Sequence, residues 1–166
     1  MSRVDIRPAT SADADAVASI YNHYVAHTVI TFEEEAVAAQ VMTARIADVQ
    51  SQDLPWLVAE RDGELLGYSY ANRWKARAAY RHSVESTIYL RAGYGGQGIG
   101  QVLYTALIDS LKTKRIHAVI GGAALPNPAS VALHEKLGFA HVGTFREVGF
   151  KQGRWVDVAY WQLVLS

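Results

Sequence analysis

The chain has no cysteine, which excludes disulfides, thiolate metal sites and a cysteine nucleophile together. An excess of one charge is also missing. Sixteen basic residues offset sixteen acidic ones, so the formal net charge is zero and no global field draws the molecule to nucleic acid or an anionic membrane. Any anion must be bound locally. No apolar run approaches 18 residues and no charged-then-apolar leader opens the chain, which argues against a membrane span or signal peptide and for a cytoplasmic location. No metal-ligand motif occurs, and no metal is expected.

Half of the 166 residues are hydrophobic and 19% are charged, the composition of a folded globule without disorder or fibrous repeat. The length suits one domain spanning residues 1–166 that buries roughly two-thirds of the surface its unfolded form exposes. There is no internal repeat, linker or low-complexity tract.

Val4 to Arg7 reads as a short strand, and Thr10 with Asp13 has capping-box spacing, so a helix is expected there. Val17, Ile20, Tyr21 and Tyr24 form its apolar stripe, and a weaker helix is expected over Ala36 to Asp48. Trp56–Glu60 and Leu65–Tyr70, joined by the Asp62-Gly63 turn, predict an antiparallel hairpin. Val84–Leu90 is a β-branched strand; a glycine-rich turn follows, then a helix with its face on Val102, Leu103, Ala106, Leu107 and Leu111. Ala118–Ile120 is another strand, and Pro128 opens a short helix that Gly138 ends. Ala140–Val148 and Trp155–Val164 close the chain as strands joined across Gln152-Gly153. The order implies an α/β (α+β) fold with a mixed sheet covered by helices.

The glycine stretch Gly93–Gly100 can turn with positive φ and bring amides close to an anion at a helix N-terminus. A P-loop would need lysine and serine or threonine after Gly100, where Gln101 and Val102 stand. Gly93, Gly95 and Gly98 match a dinucleotide fingerprint, but the acidic ribose partner is missing at Ala118–Gly122, and the preceding strands form a hairpin instead of opening a βαβ unit. A plain connecting turn is the remaining alternative. Glu85 sits in a hydrophobic strand, where burial would raise its pKa toward that of a useful base, while solvent exposure would leave it inert. His134 titrates near neutrality or simply favours the end of its helix. Lys75 and Arg77, two apart in an extended stretch, point the same way and can receive an anion or stand as solvated cations. Asn127, between two prolines, reads equally as a turn residue.

Gly95-Gly96-Gln97-Gly98-Ile99-Gly100 resembles the pyrophosphate loop of the GCN5-related N-acetyltransferases (GNAT superfamily), with Gly95 where the family carries glutamine or arginine. Within that superfamily the chain resembles the phosphinothricin N-acetyltransferases from Ile6 to Leu165. Lys75-Ala76-Arg77 with Tyr80, Val84 to Tyr89, Leu125 to Pro128, Leu133 to Phe139 and Gly149-Phe150-Lys151 with Trp155 and Asp157 carry the likeness. The resemblance implies a central, largely antiparallel twisted sheet with helices on both faces, acetyl-CoA as co-substrate and a homodimer. It implies Glu85 as general base and His134 as a second proton carrier. The cofactor would meet backbone groups of Ile88 and Leu90, the Gly95–Gly100 loop and Asn127. Lys75, Arg77, Tyr80 and Thr87 would form the substrate segment, with Phe32, Tyr70 and Tyr89 as aromatic partners.

The function expected is therefore direct acetyl transfer to the α-amine of a small anionic amino acid of the phosphinothricin or methionine sulfoximine class, with no nucleic-acid or membrane partner. Acetylation of a protein N-terminus, polyamine or aminoglycoside is the rival enzyme reading. A non-catalytic acyl-CoA-binding domain is the rival class, and nicotinamide binding is a distant third.

Overall fold

The computed structural model describes residues 2–166 as one seven-stranded sheet covered by four helices. The strands are β1 (Asp5–Pro8), β2 (Trp56–Arg61), β3 (Glu64–Arg73), β4 (Ser83–Leu90), β5 (Ala118–Ala124), β6 (Ala140–Lys151) and β7 (Arg154–Val164). The helices are α1 (Ala14–His27), α2 (Ala39–Ser51), α3 (Ile99–Lys112) and α4 (Pro128–Lys136). The strand order is β1-β2-β3-β4-β5-β7-β6, antiparallel throughout except where β4 meets β5.

Successive side chains on a strand point to opposite faces, and the contacts show which helices cover each. Tyr21 of α1 packs edge-on against Tyr89, which pairs with Tyr68 across β3 and β4. One residue before Tyr68, the α-carbon of Gly67 faces Leu103 of α3. Helices α1 and α2 thus lie on one face and α3 and α4 on the other. Burial of residues such as Val17, Met42, Tyr68, Leu103 and Leu107 forms the core between them.

The Thr10–Asp13 capping box is present, but it caps a short 3-10 turn at Ser11–Asp13 that runs into α1. Helix α2 begins three residues later than its apolar pattern suggests. Asn22 holds Val37 by both backbone groups, Nδ2 to the carbonyl at 2.9 Å and Oδ1 from the amide at 2.8 Å, which keeps the chain extended up to Ala38. In α3 the buried face runs through Leu103, Tyr104, Leu107, Ile108 and Leu111, and Val102 is exposed. Strands β3, β5 and β6 extend past their apolar segments because neighbouring strands supply the hydrogen bonds.

Candidate active site

The parallel pairing of β4 with β5 covers only Ser83–Ser86 against Ala118–Gly121. Beyond it the strands part, and a cavity of about 990 Å³ opens between them. Arg91 N–H donates to the Leu66 carbonyl, so by alternation the main-chain groups of Ile88 and Leu90 face away from β3 toward this opening. The Leu90 carbonyl is taken by the Tyr24 hydroxyl at 2.5 Å, which leaves Ile88 C=O and the Ile88 and Leu90 N–H groups as a free strand edge.

At one end of the cavity lies the glycine loop. Gly96 and Gly98 have φ of +76° and +81°, a region in which a Cβ is strained, and Gly98 is the N-cap of α3. The first amide of α3 to close back on the chain is that of Val102, onto Gly98 C=O. The N–H groups of Ile99, Gly100 and Gln101 therefore project from the helix start as an anion cradle. Gly95 has neither a positive φ nor any atom within 4 Å of a built Cβ, so the loop does not itself require glycine there. Ile99 is buried and Gln97 lies off the cavity, so these two can contribute only main-chain groups.

At the other end stands Glu85, half-buried on the α1 face, with no hydrogen-bonded or ion-paired partner among the described residues. Burial pushes its carboxyl above the usual range, opposed in part by the positive charge of Lys75. Thr87, Tyr89 and Phe32 line the same wall. Phe32 is seated by Gly149, where a Cβ would come within 2.2 Å of the ring. The loop carrying Phe32 is tied down by buried Lys151, whose Nζ donates to the Thr31 carbonyl at 2.8 Å.

His134 is on the opposite face, only 2% exposed, and reaches the cavity edge beside Ser86 and Tyr104. Tyr104 Oη lies 2.9 Å from Nε2 and Nδ1 lies 2.7 Å from the Ser130 carbonyl. Burial lowers the imidazole's proton affinity, partly offset by that carbonyl. Asn127 borders the cavity, but its Oδ1 caps α4 by accepting from Ser130 N–H at 3.2 Å, leaving its amide nitrogen uncommitted. Both the turn and the ligand readings of this residue thus fit its geometry.

Tyr70, Lys75, Arg77 and Tyr80 are not brought to the cavity wall. Tyr70 stacks on Trp56 at 4.1 Å beneath it, Lys75 Nζ rests over the Trp74 ring at 4.7 Å, and Arg77 and Tyr80 stand exposed on the segment between β3 and β4. Ser86, Tyr104, Gly122, Ser130 and Tyr160 also line the cavity, and Gly121 abuts His134 beside it, with no sequence motif marking them. The one local signal available for Tyr104 is its place one helical turn after Gly100 on the same face. No group of three or more metal-ligating side chains converges among the described residues.

The model of the acetyltransferase (GNAT) domain matches residues 6–160. A phosphinothricin N-acetyltransferase of Streptomyces viridochromogenes is 43% identical over 96% of this chain and 86% of its own length. An L-methionine sulfoximine/L-methionine sulfone acetyltransferase of Salmonella typhimurium is 34% identical over 97% and 94% respectively. A GNAT-superfamily phosphinothricin acetyltransferase of Sinorhizobium meliloti, solved in complex with acetyl-CoA, superposes with a TM-score of 0.95 at 34% identity, covering 100% of this chain and 90% of its own.

Proposed function

This chain belongs to the GNAT family and is an acetyltransferase, and from that premise we propose that it acetylates the α-amine of a small anionic amino acid, of the phosphinothricin or methionine sulfoximine class, with acetyl-CoA as donor. The observation that carries the reading is Glu85, an unpaired, half-buried carboxylate of raised pKa on the wall of a cavity whose far end is an anion cradle.

The free edge of β4 at Ile88 and Leu90 suits the amide-bearing arm of the donor, and the Gly96–Gly100 amides suit its pyrophosphate. Glu85 takes a proton from the substrate ammonium, since only the free amine can attack the thioester. Its raised pKa makes it a stronger base than a solvated glutamate. His134 supplies the proton carrier for the departing thiolate. Aromatic Phe32 and Tyr89 enclose the substrate's aliphatic part.

Lys75 stands close enough to Glu85 for its charge to be felt there, and with Arg77 it offers positive charge suited to an anionic tail. Because Arg77 and Tyr80 lie off the cavity wall, a second reading is an amine without such a tail. The proposal includes a homodimer. Phe145 and Val148 line the cavity yet are 61% and 59% exposed, so a second copy against β6 would complete that wall; sedimentation tests it.

Purified protein with acetyl-CoA and a panel of phosphinothricin, methionine sulfoximine, spermidine and an alanyl peptide, read by thiol release, tests the substrate. Release with the first two supports the proposal; release confined to the last two overturns its substrate class. Glu85→Gln should lower turnover by about 10²–10⁴-fold with acetyl-CoA affinity retained. Near-wild-type turnover would remove Glu85 from the mechanism.

A further inference from the structure

Three buried groups form one hydrogen-bonded file from the cavity into the molecule. Ser86 Oγ lies 2.5 Å from Tyr104 Oη, Tyr104 Oη 2.9 Å from His134 Nε2, and His134 Nδ1 2.7 Å from the Ser130 carbonyl. The three side chains belong to residues 5%, 0% and 2% exposed. The direction of the file follows from the valence of its members. A carbonyl only accepts, so Nδ1 carries the proton of the neutral ring and Nε2 is bare. Tyr104 must then donate to Nε2, and Ser86 must donate to Tyr104. Ser86 Oγ has one other partner, the Ile120 carbonyl at 3.5 Å, at the limit of hydrogen-bond reach. Both ring nitrogens of His134 are thus occupied. The member with unused capacity at the cavity is Ser86.

We propose that His134 acts in acetyl transfer as a proton store that works only through Tyr104 and Ser86, with Ser86 Oγ exchanging protons with the reacting atoms. The inference rests on the acetyl-transfer reading above. In the resting polarity Ser86 presents a lone pair to the cavity. A proton shed by the attacking nitrogen enters there, the Ser86 proton passes to Tyr104 and the Tyr104 proton to Nε2, giving an imidazolium and two neutral hydroxyls. The file now points outward. As the new C–N bond stands and the C–S bond breaks, sulfur takes the Ser86 proton, which is replaced from Tyr104 and then from Nε2, and His134 returns to neutral. The ammonium nitrogen loses two protons per turnover, one through Glu85 to water and one through the file to sulfur.

The surroundings of His134 suit a transient charge. Trp161 of β7 stacks on the ring at 5.7 Å, Phe139 abuts it edge-on at 5.0 Å, and Gly121 of β5 closes the third side. Tyr104 of α3 is its one titratable contact. His141 lies against Trp161, Glu135 and Lys136 of α4 are exposed, and Glu85 faces the other side of the sheet. Burial makes the imidazolium a ready donor, because no carboxylate there retains it.

The test uses Tyr104→Phe, Ser86→Ala and the double variant, with whichever amine the wild type acetylates. Each single variant should lower kcat by about 10²–10³-fold with KM for acetyl-CoA within about twofold, and the double should lose no more than the worse single. In mixed H2O and D2O the wild type should give a curved proton inventory and the variants a linear one. A packing role would instead depress the melting temperature and raise KM while leaving the inventory curved, and that result overturns the proposal. So does a Tyr104→Phe enzyme with kcat within about twofold of wild type. If the wild type acetylates no amine of the panel, it is the substrate reading that falls. The same variants are then compared on acetyl-CoA hydrolysis, whose thiolate must be protonated by the same file, with the same two outcomes.

Discussion

Gly121→Ala should damage this protein well beyond the usual effect of one methyl group. A Cβ at Gly121 would stand 2.3 Å from His134 Nε2, 2.6 Å from Cδ2 and 3.3 Å from Tyr104 Oη. Relief to an ordinary contact of about 3.5 Å requires the ring to retreat by about 1 Å. The ring has nowhere to go, with Trp161 stacked on it, Phe139 against its edge and Nδ1 held by the Ser130 carbonyl at 2.7 Å. A 1 Å retreat along the line from the Cβ to Nε2 lengthens the Tyr104–His134 bond from 2.9 Å to about 3.3 Å, which weakens it without breaking it. Overpacking costs about 1–3 kcal/mol and the weakened buried bond up to about 1 kcal/mol, so a total of about 1–4 kcal/mol is expected. Against a stability of about 5–15 kcal/mol the variant still folds, but its melting temperature should fall by about 3–15 °C. Calorimetry measures that, and acetyl-CoA titration should show the affinity intact, since the cradle at Gly96 and Gly98 is untouched. A melting temperature within about 2 °C of wild type together with unchanged kcat would refute the packing argument.

Gly98→Ala puts a Cβ on a backbone of φ +81° and should cost about 1–2 kcal/mol in stability and weaken acetyl-CoA binding by calorimetry. Gly95→Arg meets open space and an ordinary backbone; its stability should change by less than about 0.5 kcal/mol while acetyl-CoA binds several-fold more tightly, and weaker binding would deny that a phosphate lies there. Stability should also fall as pH drops below about 6.5. His134 has a folded pKa below its unfolded one, so in that window the unfolded chain binds the extra proton; above it the contribution is fully present. His134→Gln should flatten this part of a melting-temperature-against-pH curve, and an unchanged slope would assign it to other groups.

The elements legible in the sequence are those whose signals are local. Asp62-Gly63 and Gln152-Gly153 all have positive φ, as the tight hairpin turns demand, and Gly138 follows α4 at φ +91°. Helix α2 starts later than its local pattern indicates because the competing interaction, Asn22 with Val37, comes from fifteen residues away. The loop, Glu85 and His134 stand out by residue type and motif, and all three border the cavity. Tyr104 does not stand out, because a tyrosine on a buried helical stripe looks like core until its hydroxyl is seen to meet Ser86 and His134. Likewise nothing local in Ser86 distinguishes it from any strand serine. Its meaning depends on the parallel register that sets Ser86 beside Gly121, a pairing between segments more than thirty residues apart.

That register explains how the two proposed proton carriers, on opposite faces of a sheet, can serve one reaction. Glu85 and Ser86 are consecutive on β4, so strand geometry sends the carboxylate to the α1 face and the hydroxyl to the α3 face. In a continuous sheet the two would be insulated from each other by the layer of main chain. Here β4 and β5 stop pairing immediately after Ser86 and Gly121, and the cavity passes through the gap, bordered by Glu85 on one side and Ser86 on the other. Closing the gap would cost the free edge at Ile88 and Leu90 as well as this convergence. Restoring one β4–β5 hydrogen bond should therefore impair donor binding and both proton transfers together, whereas Glu85→Gln and Tyr104→Phe should each impair only one.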